Sequence, residues 1–257
     1  MKNSRFFIFI IFIFNLPNSF GNGVTLSQSY SPRGWSWEDF RFGGGVGYAF
    51  YLTNQMDYQI TTNYGEFNEL IPSYFGSINK ALNSRWEMGL EYRNGHLLTL
   101  KSQNTQGSTC DFEDIQFNID YSLNDNAGLT NGRFTVNGQI GLGAISFRSK
   151  YFTVNSKTES IDRIFSSVGY SGEIKTSKDQ ADKQIAVIGN FGLVLGMRLT
   201  KNISLYWQNT VNISTSNKMS GNLHKRSWIP PDGYYYSGIG LYINITQQKG
   251  RIGCPKF

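Results

Sequence analysis

Few residues in this chain could carry acid–base or nucleophilic chemistry. There are two histidines, His96 and His224. His96 follows an Asn-Gly pair and reads as solvated. His224 stands beside Lys225 and Arg226 in a polar stretch. Hydrolysis by general acid–base catalysis would need that imidazole to face paired carboxylates. The nearest acids in comparable polar stretches are Asp111, Glu173, Asp179, Asp182 and Asp232, and they form no recognisable pair motif. No Ser/His arrangement points to an activated nucleophile. Gly43-Gly44-Gly45 with Gly47 lacks the strand-to-helix context of a phosphate-binding loop. The residues therefore predict no catalytic, cofactor-binding or metal-binding set.

A second group of charges is more regular. Arg85, Glu87, Glu91, Arg93, Lys101, Asp114 and Asp120 lie in alternating segments, on the face opposite the apolar residues. Successive strand residues point to opposite sides of a sheet. Trp86, Met88, Leu90 and Tyr92 then share one face, and Arg85, Glu87, Glu91 and Arg93 the other. Both signs are present, which fits either a polar channel or a charge-paired filling, because buried charges must be paired.

The same alternation recurs along the chain. It is predicted for 24–31, 40–52, 56–66, 85–93, 96–103, 111–121, 133–147, 184–199, 203–216 and 233–246, with Asn94-Gly95 as a hairpin turn. The segment 68–84 reads as a connection. The longest predicted loop, 148–182, carries Tyr151, Phe152, Ile164, Phe165 and Tyr170. It is more apolar than a plain linker needs and is the candidate interaction loop. Tyr51–Gln55 and Arg198–Asn202 repeat one turn phrase, which places both on the same side.

Composition agrees with strands that face two environments. Of 257 residues, 39% are hydrophobic, only 16% are charged and 15% are aromatic, with 28 glycines. Mean hydropathy is −0.34, unlike that of a helical membrane protein. Lys2 and Arg5 precede the apolar run Phe6–Phe14, and Ser19-Phe20-Gly21 offers small residues for cleavage. Residues 1–21 therefore read as a secretory signal, too short to span a bilayer as a helix. The two cysteines, Cys110 and Cys254, make no disulfide framework. The net charge of +6 comes without a basic, aromatic-interleaved run, so no nucleic-acid partner is expected.

The last strand, Gly233–Thr246, sets Tyr235, Ile239, Leu241 and Ile243 against Tyr236, Gly238, Gly240 and Tyr242. Within it Tyr236, Gly238, Leu241 and Ile243 resemble the polar-x-Gly-x-x-apolar-x-apolar signal that marks the closing strand of bacterial outer-membrane proteins. With the Gly-aromatic strands, the Leu-Thr-Lys-Asn turn and the basic tail 247–257, the mature chain resembles the small outer-membrane β-barrels of Bacteroidota-type bacteria. The resemblance implies an all-β, antiparallel, up-and-down transmembrane barrel over 22–246. About ten strands are expected, eight being the alternative, with short turns and both termini periplasmic. It implies membrane lipid and the barrel insertion machinery as partners, with other envelope proteins possible. Three functions stay open: a non-catalytic accessory subunit or surface-loop binder, a narrow porin-like passive pore, and an outer-membrane protease or lipid A-modifying enzyme.

Overall fold

The computed structural model describes residues 40–52, 67–83, 85–101, 105–123, 134–155, 157–170, 183–200, 202–221 and 232–244. Among the described residues there are nine strands: β1 (Phe40–Leu52), β2 (Pro72–Ala81), β3 (Trp86–Lys101), β4 (Gln106–Ser122), β5 (Phe134–Asn155), β6 (Ser160–Val168), β7 (Gln184–Arg198), β8 (Ile203–Ser214) and β9 (Gly233–Asn244). Eight of them close into an antiparallel ring in the order β1-β2-β3-β4-β5-β7-β8-β9, with β9 returning to β1. The ring runs from Arg41 opposite Asn244 to Leu52 opposite Gly233 where β9 meets β1. The closing strand and its two faces are those read from the sequence. Tyr234, Tyr236, Gly238, Gly240 and Tyr242 are buried inside, while Ile239, Leu241 and Ile243 are exposed outside.

The register separates two ends. Phe40, Ala81, Trp86, Ser122, Phe134, Arg198, Ile203 and Asn244 lie at one, here the turn end. Leu52, Pro72, Lys101, Gln106, Val168, Gln184, Ser214 and Gly233 lie at the other, the loop end. At the loop end β3, β4 and β5 run on past their neighbours. There β5 pairs with β7 over Phe134–Phe147 and with β6 over Ser149–Asn155, on the same edge. β6 and β7 thus act as one strand interrupted by 169–183.

Several sequence expectations are corrected. The ring has eight strands, not ten. The segment 68–84 is not a connection, because Pro72–Ala81 is β2. Its lumen-side residues include Phe75, and an aromatic on the inner face blurs the alternation. Asn94-Gly95 is not a hairpin, since β3 runs straight through it, paired with β4 from Trp86 to Lys101. Gly95 is needed there for space. A Cβ on it would collide with Ser73 Oγ and lie 2.9 Å from the Phe112 ring. The loop 148–182 is not a loop over 148–155 and 160–168, which belong to β5 and β6. The two repeated turn phrases lie at opposite ends, Leu52 at the loop end and Leu199 at the turn end. The expected strands 24–31 and 56–66, the signal, the tail and Cys254 lie outside the described residues.

Inward-facing glycines let a narrow ring hold large side chains. A Cβ on Gly45 would collide with the Ile239 carbonyl oxygen and sit 2.7 Å from the Phe75 ring. Outward-facing Gly138, by contrast, has nothing within 4 Å of that position. Gly45→Val should therefore lower stability by about 1–3 kcal/mol or prevent folding. Gly138→Ala should stay within about 0.5 kcal/mol of the parent, read as urea midpoints by tryptophan fluorescence.

Candidate functional site

Among the described residues, the lumen holds packed polar and aromatic side chains. Lining residues alternate with outward ones on every strand, and the inward set is polar and aromatic. Tyr206 stacks on Tyr242 with centroids 3.8 Å apart, and Phe75 meets Tyr206 and Tyr236 edge-on at 5.5 and 5.8 Å. Arg93 is fully buried. Its Nη1 donates to Asn212 Oδ1 at 3.1 Å and to Tyr234 Oη at 3.0 Å, Nη2 pairs with Glu91, and the guanidinium lies 4.3 Å from the Tyr236 ring centroid. Tyr234 in turn donates to Asp114.

The network continues across the ring. Gln208 Nε2 donates to Glu91 Oε2 at 3.0 Å and to Gln139 Oε1 at 2.9 Å. Gln116 donates to Asn212 at 3.1 Å, and Asn190 donates to Asn118 at 2.8 Å. Nearer the turn end, Arg41 Nε donates to Glu87 Oε1 at 3.0 Å. Glu87, Glu91, Arg93, Asp114 and Asp120 are buried on the inner face of the ring. Arg85 is not one of them, because it stands exposed in the turn before β3. Lys101 ends β3 at the loop end, and its side chain lies outside the described set.

The neutral partners Gln116, Asn118, Gln139, Asn190, Gln208 and Asn212 were not singled out from sequence. Gln116 and Asn118 sit at even steps from Asp114, Gln139 lies directly across from Asp120, and Asn190 lies directly across from Asn212. The arrangement holds buried charges by pairing and hydrogen bonding.

The loop end of the lumen is covered by the segment after β8. Tyr51 Oη donates to the Met219 carbonyl and Ser149 Oγ to the Lys218 carbonyl, both at 2.8 Å. Ser108 and Ser166 donate to the carbonyls of Ser220 and Gly221. Four successive carbonyls are thereby held by hydroxyls from β5, β1, β4 and β6. Asp232 is buried beneath and accepts from Ser220 N at 3.0 Å. Gly221 has φ +67° and lies against the Lys150 backbone, where a Cβ would come within 2.7 Å. Met219, fully buried, belongs to the same buried cluster as Tyr51, Leu97, Cys110, Phe112, Phe147 and Val168.

Beyond the ring, the extended sheet has a second core on its outer face. Phe67, Leu98, Leu100, Phe152 and Val154 form it, with Ile71 and Ile164 packed against them. Of the candidate interaction residues, Phe152 is therefore fully buried, stacked on Phe67 at 5.6 Å, and Ile164 is partly buried. Tyr151 and Phe165 form a partly exposed pair at 5.8 Å, with the Arg163 guanidinium 5.5 Å from the Phe165 ring. Tyr170 Oη donates to Asp111 Oδ2 at 2.9 Å.

His96 belongs to this end and not to a turn. Its Nδ1 lies 2.5 Å from Asp111 Oδ1. The hydrogen bond from His96 holds the Asp111 carboxyl below its ordinary value, aided by Tyr170 and Lys150 and opposed by burial. Imidazole, carboxylate and phenol tie β3, β4 and the second residue after β6 together. His224, Glu173, Asp179 and Asp182 lie outside the described residues.

No protein-family model matches this chain, and no curated protein does. Solved structures similar to it include the Neisserial surface protein A, at 9% identity and TM-score 0.42, covering 80% of this chain and 97% of that one. Another is Ail, the attachment invasion locus protein of Yersinia pestis, at 11% identity and TM-score 0.41, covering 79% and 97%. A third is a major outer membrane protein from Thermus thermophilus, at 10% identity and TM-score 0.41, covering 79% and 98%. Likeness at this level carries no argument about function.

Two outcomes follow from the network and the rim. Arg93→Met leaves Glu91 and Asp114 buried without their cation. It should cost about 3–5 kcal/mol by denaturant unfolding, and adding Glu91→Gln should recover part of the loss. At the rim, the lowered carboxyl of Asp111 contributes stability that is present above the ordinary value of about 3.9 and lost as pH falls below it. The parent should therefore lose more thermal stability than Asp111→Asn between pH 5 and about 2.

Proposed function

We propose that this chain is an outer-membrane β-barrel that acts without catalysis and without conducting, presenting its loop end as an interaction surface. One observation carries the reading: the molecule is apolar outside and polar inside. Ile140, Leu142, Ile185 and Phe191 are 61%, 64%, 76% and 53% exposed, whereas Arg93 is 0% and Asp114 1% exposed. A continuous apolar exterior of this kind does not suit water. On β7 the outward run from Val187 to Leu195 covers 9 residues, matching the roughly 9–11 residues of a tilted transmembrane strand.

Aromatic residues mark both margins of the band, Trp86 and Tyr121 at the turn end and Tyr48, Tyr74 and Tyr92 towards the loop end. Membrane barrels carry such girdles. Past the row Tyr92, Ile115, Ala144 and Val187 the outer face becomes charged, with Glu113, Asp111, His96, Arg148 and Lys150. Outward polar groups within the band satisfy one another. Trp207 Nε1 donates to Ser237 Oγ at 3.0 Å, and Tyr235 Oη donates to Asn209 Oδ1 at 2.7 Å. In this setting the turn end is periplasmic, and the chain enters and leaves the described barrel there. The protruding sheet and the segment over the mouth face outward.

The filled lumen and the held 218–221 carbonyls favour an interaction role over the passive pore. Planar-bilayer recordings of the refolded chain should show no steady conductance; a stable open channel would replace this reading with the pore. The membrane claim has its own test. A chain that is folded and soluble without detergent overturns it, whereas a heat-dependent electrophoretic shift of detergent-folded protein supports it.

A further inference from the structure

Past the ring, β3, β4, β5 and β6 make a sheet whose two edges differ. The β3 edge is met by the chain before β2. Leu100 N donates to Glu69 Oε1 at 2.9 Å, and Phe67 lies in the outer-face core with Leu98 and Leu100. The β6 edge ends the sheet. Among the described residues, no backbone group of 161–164 bonds to a segment other than β5. A strand edge of this kind is a template for pairing with another chain.

What the edge carries decides which strand it accepts. It reads Ile161-Asp162-Arg163-Ile164. An antiparallel copy of that stretch, centred between Asp162 and Arg163, sets Ile161 across from Ile164 and Asp162 across from Arg163, each pair twice. Residues directly across share a face, where opposite charges attract and like charges repel. Asp162 and Arg163 are exposed, and neither forms an ion pair with a described residue. Ile161, 42% exposed, lies across from Val154, and Ile164 across from Phe152. Both isoleucines are thus on the side of the outer-face core, which the pairing would continue into the second copy. Asp162 and Phe165 are the extra residues of two bulges against β5. Bulges and charges on an edge oppose indiscriminate pairing, and a second copy is the strand whose charges answer these.

The symmetry of such a pair fixes how the copies meet. Antiparallel neighbours in one sheet are related by a two-fold axis perpendicular to the sheet. β6 continues the line of β7 along the wall, since both pair with the same edge of β5. The axis therefore points out of the wall, and the second barrel runs the opposite way. Two copies in one bilayer do not meet like this. Copies in two facing bilayers do, loop end to loop end.

Resting on the membrane reading above, we propose that β6 is a homophilic contact strand, pairing edge to edge with β6 of a second copy in a facing membrane. One pair of short strands binds weakly, and many copies on two surfaces multiply it.

The test follows the turbidity of lipid vesicles carrying the full refolded chain. Parent vesicles should aggregate. Asp162→Arg sets arginine across from arginine, and Arg163→Asp sets aspartate across from aspartate. Each alone should aggregate about tenfold more slowly. Mixed together they should aggregate again, because each answers the other's charge. Lys157→Asp, at an exposed position and with the same change in net charge as Arg163→Asp, should behave like the parent. Dispersed parent vesicles overturn the contact. So do single variants that match the parent, a mixture that does not recover, or a Lys157→Asp variant that behaves like Arg163→Asp. A heat-dependent mobility shift on the same vesicles separates the two claims. If the shift is present and parent vesicles stay dispersed, the barrel stands and the contact strand falls. If no chain shows the shift, the membrane reading fails and takes the contact with it.

Discussion

Closure of β9 onto β1 is the constraint on which the rest depends. Once these strands pair from Arg41–Asn244 to Leu52–Gly233, the ring has no free edge, and its backbone donors and acceptors are used internally. A wall of this kind can face hydrocarbon on one side and polar side chains on the other. On the ring strands large apolar side chains such as Ile140, Leu142, Ile185 and Phe191 point outward.

A ring of eight strands leaves an interior only wide enough for side chains. That dictates the composition of the inner face. Glycines on β1 and β9 stand opposite tyrosines, so the wall thins where a ring must fit. The two arginines that enter come with partners. Arg93 is held by Glu91, Tyr234 and Asn212, and Arg41 by Glu87. The lumen behaves as a polar core, cross-linking strands that are distant in sequence, and transport would require breaking it.

The loop end is built by a different device. Strands β3 to β6 outrun the ring and bury apolar residues on both faces, Leu97, Phe112 and Phe147 inside and Leu98, Leu100 and Phe152 outside. The inner face then accepts the 218–221 segment, whose carbonyls take four hydroxyl donors. The protruding sheet is thus rigid where a plain connection would not be. The residues that meet solvent there, Tyr151, Phe165, His96, Asp111 and Tyr170, are held in fixed relation.

The sequence by itself determined the local alternation. From it came β1, the outward and inward faces of β3, β4, β7, β8 and β9, the identity of the closing strand, and five lumen charges. Each rests on a period of two, which needs no knowledge of neighbours. What it left undecided depends on who sits across the sheet. β2 was hidden because Phe75 belongs inside, against Tyr206 and Tyr236. Asn94-Gly95 reads as a turn in isolation, but the Phe112 ring and Ser73 occupy the space that its missing Cβ leaves. Phe152 and Ile164 look like surface anchors until Phe67 and Leu100 cover them. The strand count, the end at which each connection lies and the filling of the lumen were decided only by tertiary structure, because register and ring closure join residues that no local pattern relates.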